Sequence, residues 1–182
     1  PASGYQLFDE KMHQDAMRRL TLEPELQRAI EDNQLRLYYQ PIVNMGTGKI
    51  IAFEGLVRWR HPEKGMIPPD EFISLAEETG LIIPIGEQVF KKAVEQVCRV
   101  REKMQLDLML SVNVSARQMD DTAFEETASA IIKQASYPAD RLKIEITESL
   151  LMQDIATTMT RLENLSKIGI STAIDDFGTG YS

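Results

Sequence analysis

Leu108-Met109-Leu110-Ser111-Val112-Asn113-Val114-Ser115 is the stretch that decides the fold class, because its side chains divide by parity. Leu108, Leu110, Val112 and Val114 fall on one face of a strand, and Met109, Ser111, Asn113 and Ser115 on the other. Other segments behave alike. Leu142, Ile144 and Ile146 alternate with Lys143, Glu145 and Thr147; Ile51, Phe53 and Val57 alternate with Ala52, Glu54, Leu56 and Arg58. Leu35, Leu37 and Tyr39 alternate with Arg36, Tyr38 and Gln40, and Ser171, Ala173 and Asp175 form the corresponding set of the last strand. Parallel strands of an open, doubly covered sheet are oily on both faces. Strands with one oily and one polar face need helices over the first and one another across the second. A barrel supplies both.

The element order agrees. Leu35–Val43 and Lys49–Trp59 read as strands joined by the turn Met45-Gly46-Thr47-Gly48, too short for anything but antiparallel pairing. Pattern and punctuation then predict helices over Asp70–Thr79, stopped by Gly80, and over Ile85–Met104. Strand Leu108–Ser115, helix Thr122–Gln134, strand Arg141–Glu148, helix Ile155–Ile168 and strand Ile170–Asp175 follow. The expected fold is α/β, a TIM-like barrel with an antiparallel first strand. It is read as incomplete: residues 35–182 supply about five strands, where a complete barrel takes about 250 residues. Residues 1–34 read as a helical linker from a preceding domain, in two pieces joined near Thr21-Leu22-Glu23-Pro24.

Composition narrows the function. With 43% hydrophobic residues, a chain of 182 can bury a real core. A net charge of −8 argues against a nucleic-acid polymer as partner, although bound cations can still recruit a phosphate-bearing small molecule. The single cysteine, Cys98, lies in a helical pattern and reads as a buried structural thiol in a reducing compartment. No long apolar run appears, so a membrane enters only through other domains of a parent protein. The localisation expected is cytoplasmic. His13 and His61 read as surface residues.

Glu54, Asn113, Glu145 and the adjacent Asp175 and Asp176 each stand near a strand end and offer only oxygen. Such donors favour Mg²⁺, Mn²⁺ or Ca²⁺ over zinc, and neighbouring aspartates allow two metals to share a carboxylate. Duller readings exist for each residue: Glu145 paired with Lys143 or Arg141, Arg58 neutralising Glu54, Asn113 a satisfied core amide, Asp175-Asp176 a solvated strand end. A barrel aldolase or isomerase is disfavoured, since no Schiff-base lysine or enolising pair presents itself.

Tyr39-Gln40-Pro41-Ile42-Val43, Glu54-Gly55-Leu56-Val57-Arg58-Trp59, Ser111-Val112-Asn113-Val114-Ser115, Glu145-Ile146-Thr147-Glu148 and Asp175-Asp176-Phe177-Gly178-Thr179-Gly180-Tyr181-Ser182 together resemble the EAL domain in order and spacing. The resemblance implies a phosphodiesterase that opens cyclic di-GMP to linear pGpG with two Mg²⁺ or Mn²⁺ ions. It implies Glu54, Asn113, Glu145 and Asp175 as ligands of one metal, with Asp176 serving the second and orienting the attacking water. Gln40, Pro41, Leu56 and Arg58 would line the nucleotide. Glu148 would anchor the loop Gly178–Ser182, which in the family couples the site to a homodimer. Tyr5-Gln6-Leu7-Phe8-Asp9-Glu10-Lys11-Met12 resembles the junction after a GGDEF domain, implying a tandem signalling parent and a truncated EAL domain over 35–182. Two departures stand out. Gly55 replaces the alanine of the family's signature, for which a modest stability cost is expected. The later lysine, acidic residues and glutamine of the family have no counterpart here, so the fragment alone is expected to be weak or inactive. The alternative function is a non-catalytic module that binds cyclic di-GMP or a protein partner.

Overall fold

The computed structural model describes residues 10–175, with side chains from Arg19 onward except those of Ser149 and Gln153. The readings made for the Tyr5–Met12 junction, the His13 side chain, Asp176 and the loop Gly178–Ser182 lie outside these residues.

Helix α1 (Glu10–Glu31) leads into the hairpin β1 (Leu35–Val43) and β2 (Ile50–His61), and the short β3 (Gly65–Ile67) folds back on β2. Then come α2 (Pro69–Thr79), α3 (Ile82–Met104), β4 (Met109–Asn113), α4 (Ala116–Asp120), α5 (Phe124–Gln134), β5 (Leu142–Thr147), α6 (Glu148–Gln153), α7 (Ile155–Lys167) and β6 (Ser171–Asp175). The sheet runs β1-β2-β4-β5-β6. β1 and β3 are antiparallel to β2, and each later pair is parallel. The TIM-like pattern with an antiparallel first strand is therefore present, as an open run of strands among the described residues.

Local chemistry explains the boundaries. Asn44 closes the β1–β2 turn, its Oδ1 accepting from the amides of Gly46 and Thr47 at 3.0 Å. α2 begins with Pro69 in its first turn and ends at Gly80, whose φ of 83° suits only a residue without Cβ. α3 starts three residues earlier than the pattern predicts, because Pro84 sits in the first turn, where its missing N–H costs nothing.

Two apolar clusters cover the oily strand faces. One joins α3, α5 and α7 to β4 and β5 through Phe90, Val94, Ile131, Leu165, Leu110 and Ile144. The other joins α1, α2 and α3 to β2 through Leu26, Ala29, Phe72, Ile85 and Trp59. That second cluster corrects two expectations. α1 is one continuous helix through Pro24 rather than two pieces, since burial of Leu22 and Leu26 on either side outweighs the proline's lost hydrogen bond. His61 is buried at 7% exposure, not a surface residue. β2 extends far enough to place its ring edge-on to Trp59, with Nδ1 accepting from the Glu63 and Lys64 amides and Nε2 3.5 Å from Glu25 of α1. Cys98 is half-buried on α3, its thiol donating to the Ala135 carbonyl at 3.3 Å. Burial first, then Glu102, pushes that thiol's pKa up.

Candidate functional site

Register puts the polar residues on one face in layers. Gln40, Glu54, Ser111, Lys143 and Ser171 are successive partners across the sheet. One alternation further along, Asn113, Glu145 and Ala173 are partners; one further still, Thr147 and Asp175. Asn113 bridges the first two layers directly, its Nδ2 donating to Glu54 Oε1 at 2.8 Å. The duller readings fail for three residues. Arg58 does not neutralise Glu54, because its guanidinium donates to the Val57 carbonyl at 2.7 Å. Arg141 pairs with Asp107 at 2.7 Å instead of Glu145. Asn113 is exposed rather than a core amide. Among the described residues Glu54, Glu145 and Asp175 form no ion pair, not even with Lys143 of the same face.

A cavity of about 560 Å³ opens where the parallel strands end. Leu56, Arg58, Asn113, Glu145 and Asp175 line it, whereas Glu54, Gln40 and Pro41 do not. Glu54 reaches the group only through Asn113. Gln40 and Pro41 are exposed on β1, and Glu148 opens α6, half-buried. Among the described residues no three His, Cys, Asp or Glu side chains lie close enough to hold a metal ion together. The donor chemistry nevertheless fits a hard cation. Asn113 Nδ2 donates to Glu54, so its Oδ1 stays available, and among the described residues the Glu145 and Asp175 carboxylates form no ion pair.

The other wall of the cavity comes from helices that sequence reading did not connect with the site: Ile73 and Glu77 of α2, Ile82 and Phe90 of α3, and Gln118 of α4. α4 was legible in principle. Ser115-Ala116-Arg117-Gln118 is a capping box, and the structure shows both halves, with Ser115 N donating to Gln118 Oε1 at 3.1 Å and Gln118 N to Ser115 Oγ at 3.4 Å. Glu77 carried no comparable signal. Burial raises its pKa above the usual carboxylate range.

A parallel, helix-backed sheet whose polar inner face carries oxygen ligands beside a cavity at its C-terminal strand ends is a TIM-like barrel arrangement. Within that class the chain belongs to the EAL-domain family, whose model, described as "EAL domain", matches residues 23–182. It is 39% identical over 180 residues to the bifunctional diguanylate cyclase/cyclic di-GMP phosphodiesterase MucR of Pseudomonas aeruginosa, covering 99% of this chain and 26% of that protein. It is 37% identical over 176 residues to the cyclic di-GMP phosphodiesterase PdeR of Escherichia coli, covering 97% of this chain and 26% of that one. Among solved structures, the PaMucR phosphodiesterase in complex with c-di-GMP matches with a TM-score of 0.85 at 40% identity, over 89% of this chain and 66% of that one. The chain thus spans about a quarter of the length of these curated relatives.

Proposed function

We propose that this chain belongs to a domain that hydrolyses cyclic di-GMP to linear pGpG in the cytoplasm, using Mg²⁺ or Mn²⁺. The observation that carries the reading is the Asn113–Glu54 hydrogen bond on a face where, among the described residues, Glu145 and Asp175 form no ion pair. Carboxylates on one face repel, and a cation that joins them removes that cost. The names of the MucR and PdeR relatives support the substrate and the reaction class.

In this reading Glu54, Asn113, Glu145 and Asp175 hold one ion and Asp176 contributes to a second. Bound there, the ions supply Lewis acidity toward a phosphate oxygen and lower the pKa of water. The chain's own residues do the rest. Asn113 fixes the Glu54 carboxylate, keeping one ligand oriented. Arg58 lines the cavity with a guanidinium suited to two phosphate oxygens at once. Leu56 packs against the nucleotide, and Gln40 and Pro41 border it from β1. Asp176 helps to orient the attacking water, and Glu148 anchors the loop Gly178–Ser182 toward a homodimer contact.

The test incubates the chain and Glu54→Ala with cyclic di-GMP and Mn²⁺ and follows pGpG by chromatography. Product from the chain but not from the variant supports the reading. Binding without product from the chain removes it in favour of a non-catalytic receptor, a role compatible with carboxylates that are not gathered into a ready cage among the described residues.

A further inference from the structure

Two buried side-chain oxygens have no hydrogen-bond partner among the described residues, Gln88 Oε1 and Ser111 Oγ. Gln88 is accounted for by its other half, since its Nε2 donates to the Ile30 carbonyl at 2.9 Å and so ties α3 to the end of α1. Ser111 has no such use. It is 1% exposed in the middle of β4, between Leu110 and Val112, which pack into the helix layer. Its own side chain therefore lies on the opposite, polar face. A hydroxyl buried there with nothing to bond destabilises the fold, and alanine would fill the position without that penalty.

The neighbours of Ser111 indicate what the hydroxyl serves. Its partner on β2 is Glu54, and its partner on β5 is Lys143. A hydroxyl has one hydrogen to give and lone pairs to fill. The Lys143 ammonium only donates, so it can fill a lone pair but cannot take the hydrogen. The Glu54 carboxylate only accepts. Asn113 already donates to Glu54 Oε1 at 2.8 Å. One such bond fixes a single oxygen and leaves the carboxylate free to swing about it, whereas a second donor sets its plane. Paired side chains on adjacent strands start about 4.8 Å apart, and the torsions of a serine and a glutamate cover the rest without moving the backbone.

We propose that Ser111 is a positioning residue for the ion site: its hydroxyl donates to the Glu54 carboxylate and, with Asn113, holds the plane of that ligand toward a bound divalent cation. Hydrogen bonds to the ligands of an ion orient them and set its affinity. The unmet hydroxyl is then a strain on the fold that ion binding relieves. Ser111 has this role only if the chain holds a cation on this face, as proposed above.

The experiment titrates the chain with Mn²⁺ alone, following the electron paramagnetic resonance signal of the free ion, and measures thermal melting in parallel. Ser111→Ala should weaken Mn²⁺ binding about tenfold or more. With the ion removed by a chelator, the same variant should melt about 2–4 °C above the parent, because the unmet hydroxyl is gone. Those opposite signs separate a residue kept for the ligand from one kept for the fold. Lys143→Met should bind Mn²⁺ at least as tightly as the parent, because a like charge leaves the face. If Ser111→Ala binds Mn²⁺ like the parent, or melts below it without the ion, the assignment is overturned and the metal reading stands. Lys143→Met weakened as much as Ser111→Ala also overturns it, since the hydroxyl would then act through the ammonium. No Mn²⁺ binding by the parent removes the assignment and the metal-dependent reading together.

Discussion

Gly86→Ala and Gly55→Ala are the same chemical change and should move stability in opposite directions. In mid-helix, replacing glycine by alanine is worth about 1 kcal/mol in favour of folding. At Gly86 the new methyl would lie 1.7 Å from Gln118 Nε2 and 2.7 Å from its Cδ, so the glutamine must leave. Its departure breaks the capping box of α4, costing about 1 kcal/mol. It also strands the Ser115 amide, costing about 1–2 kcal/mol more. The balance is a loss of about 1–2 kcal/mol. At Gly55 the nearest atoms to a new Cβ are Ser111 O at 3.6 Å and Ala93 Cβ at 3.8 Å, ordinary contacts that require no movement. A buried strand glycine gains about 0.5–1 kcal/mol from alanine. Urea unfolding followed by far-ultraviolet circular dichroism should therefore separate the two variants by about 2 kcal/mol, with the parent between them. A double-mutant cycle isolates the cause. In a Gln118→Ala background the clash is gone, and Gly86→Ala should become stabilising by about 1 kcal/mol. If Gly86→Ala matches the parent, or costs the same with and without Gln118, the capping account is wrong.

Three further outcomes follow from single contacts. Leu26→Ala, at a side chain with no exposed surface against Trp59 and Phe72, should cost about 2–5 kcal/mol; a loss below about 1 kcal/mol in thermal melting would mean that α1 only rests on the domain. Arg117→Ala removes the guanidinium from the carbonyls that end α2 and should cost about 1 kcal/mol, measured by urea unfolding. Burial, only partly opposed by Arg99, raises the Tyr39 phenol to about 12. A folded pKa above the unfolded one stabilises fully below the unfolded value near 10 and is lost as pH rises through 12. An absorbance titration at alkaline pH should show late tyrosine ionisation, to which the buried Tyr137, also raised, contributes, and Tyr39→Phe should diminish it.

Strand parity was legible because each strand pays an obvious penalty for being turned over: Glu145 would enter the helix layer and Ile144 the polar face. α4 and α6 were overlooked for the opposite reason. Helices of five and six residues show no useful periodicity and are announced only by caps, here Ser115 and Thr147. His61 read as exposed because its neighbours Pro62, Glu63 and Lys64 are loop formers, while its burial comes from Glu25, far away on α1. Glu77 resembled any charge on an amphipathic helix. That it faces a cavity depends on where α2 docks, and the order of its neighbours in sequence does not contain that.

The candidate ligands also occupy different layers of the sheet, which first looks like a defect. Glu54 pairs with Ser111, two residues before Asn113; Asn113 pairs with Glu145; and Glu145 pairs with Ala173, two residues before Asp175. From β2 to β6 the ligand position therefore advances four residues while crossing three strand spacings. At about 3.3 Å per residue and about 4.8 Å per spacing, that is about 13 Å along the strands against about 14 Å across them, an inclination of roughly 40°. Strands in closed barrels tilt by about 35–45° from the axis. A row inclined to its strands by the same angle lies level when the sheet curves about that axis. In a wall so tilted Glu54, Asn113, Glu145 and Asp175 would stand at one height, the register offsets that separate them on a flat map bringing them level. An open, flat sheet with these offsets would spread the four oxygens along a diagonal where no single ion could serve them. The register offset of these candidate ligands therefore matches barrel curvature independently of the parity of the strands that carry them.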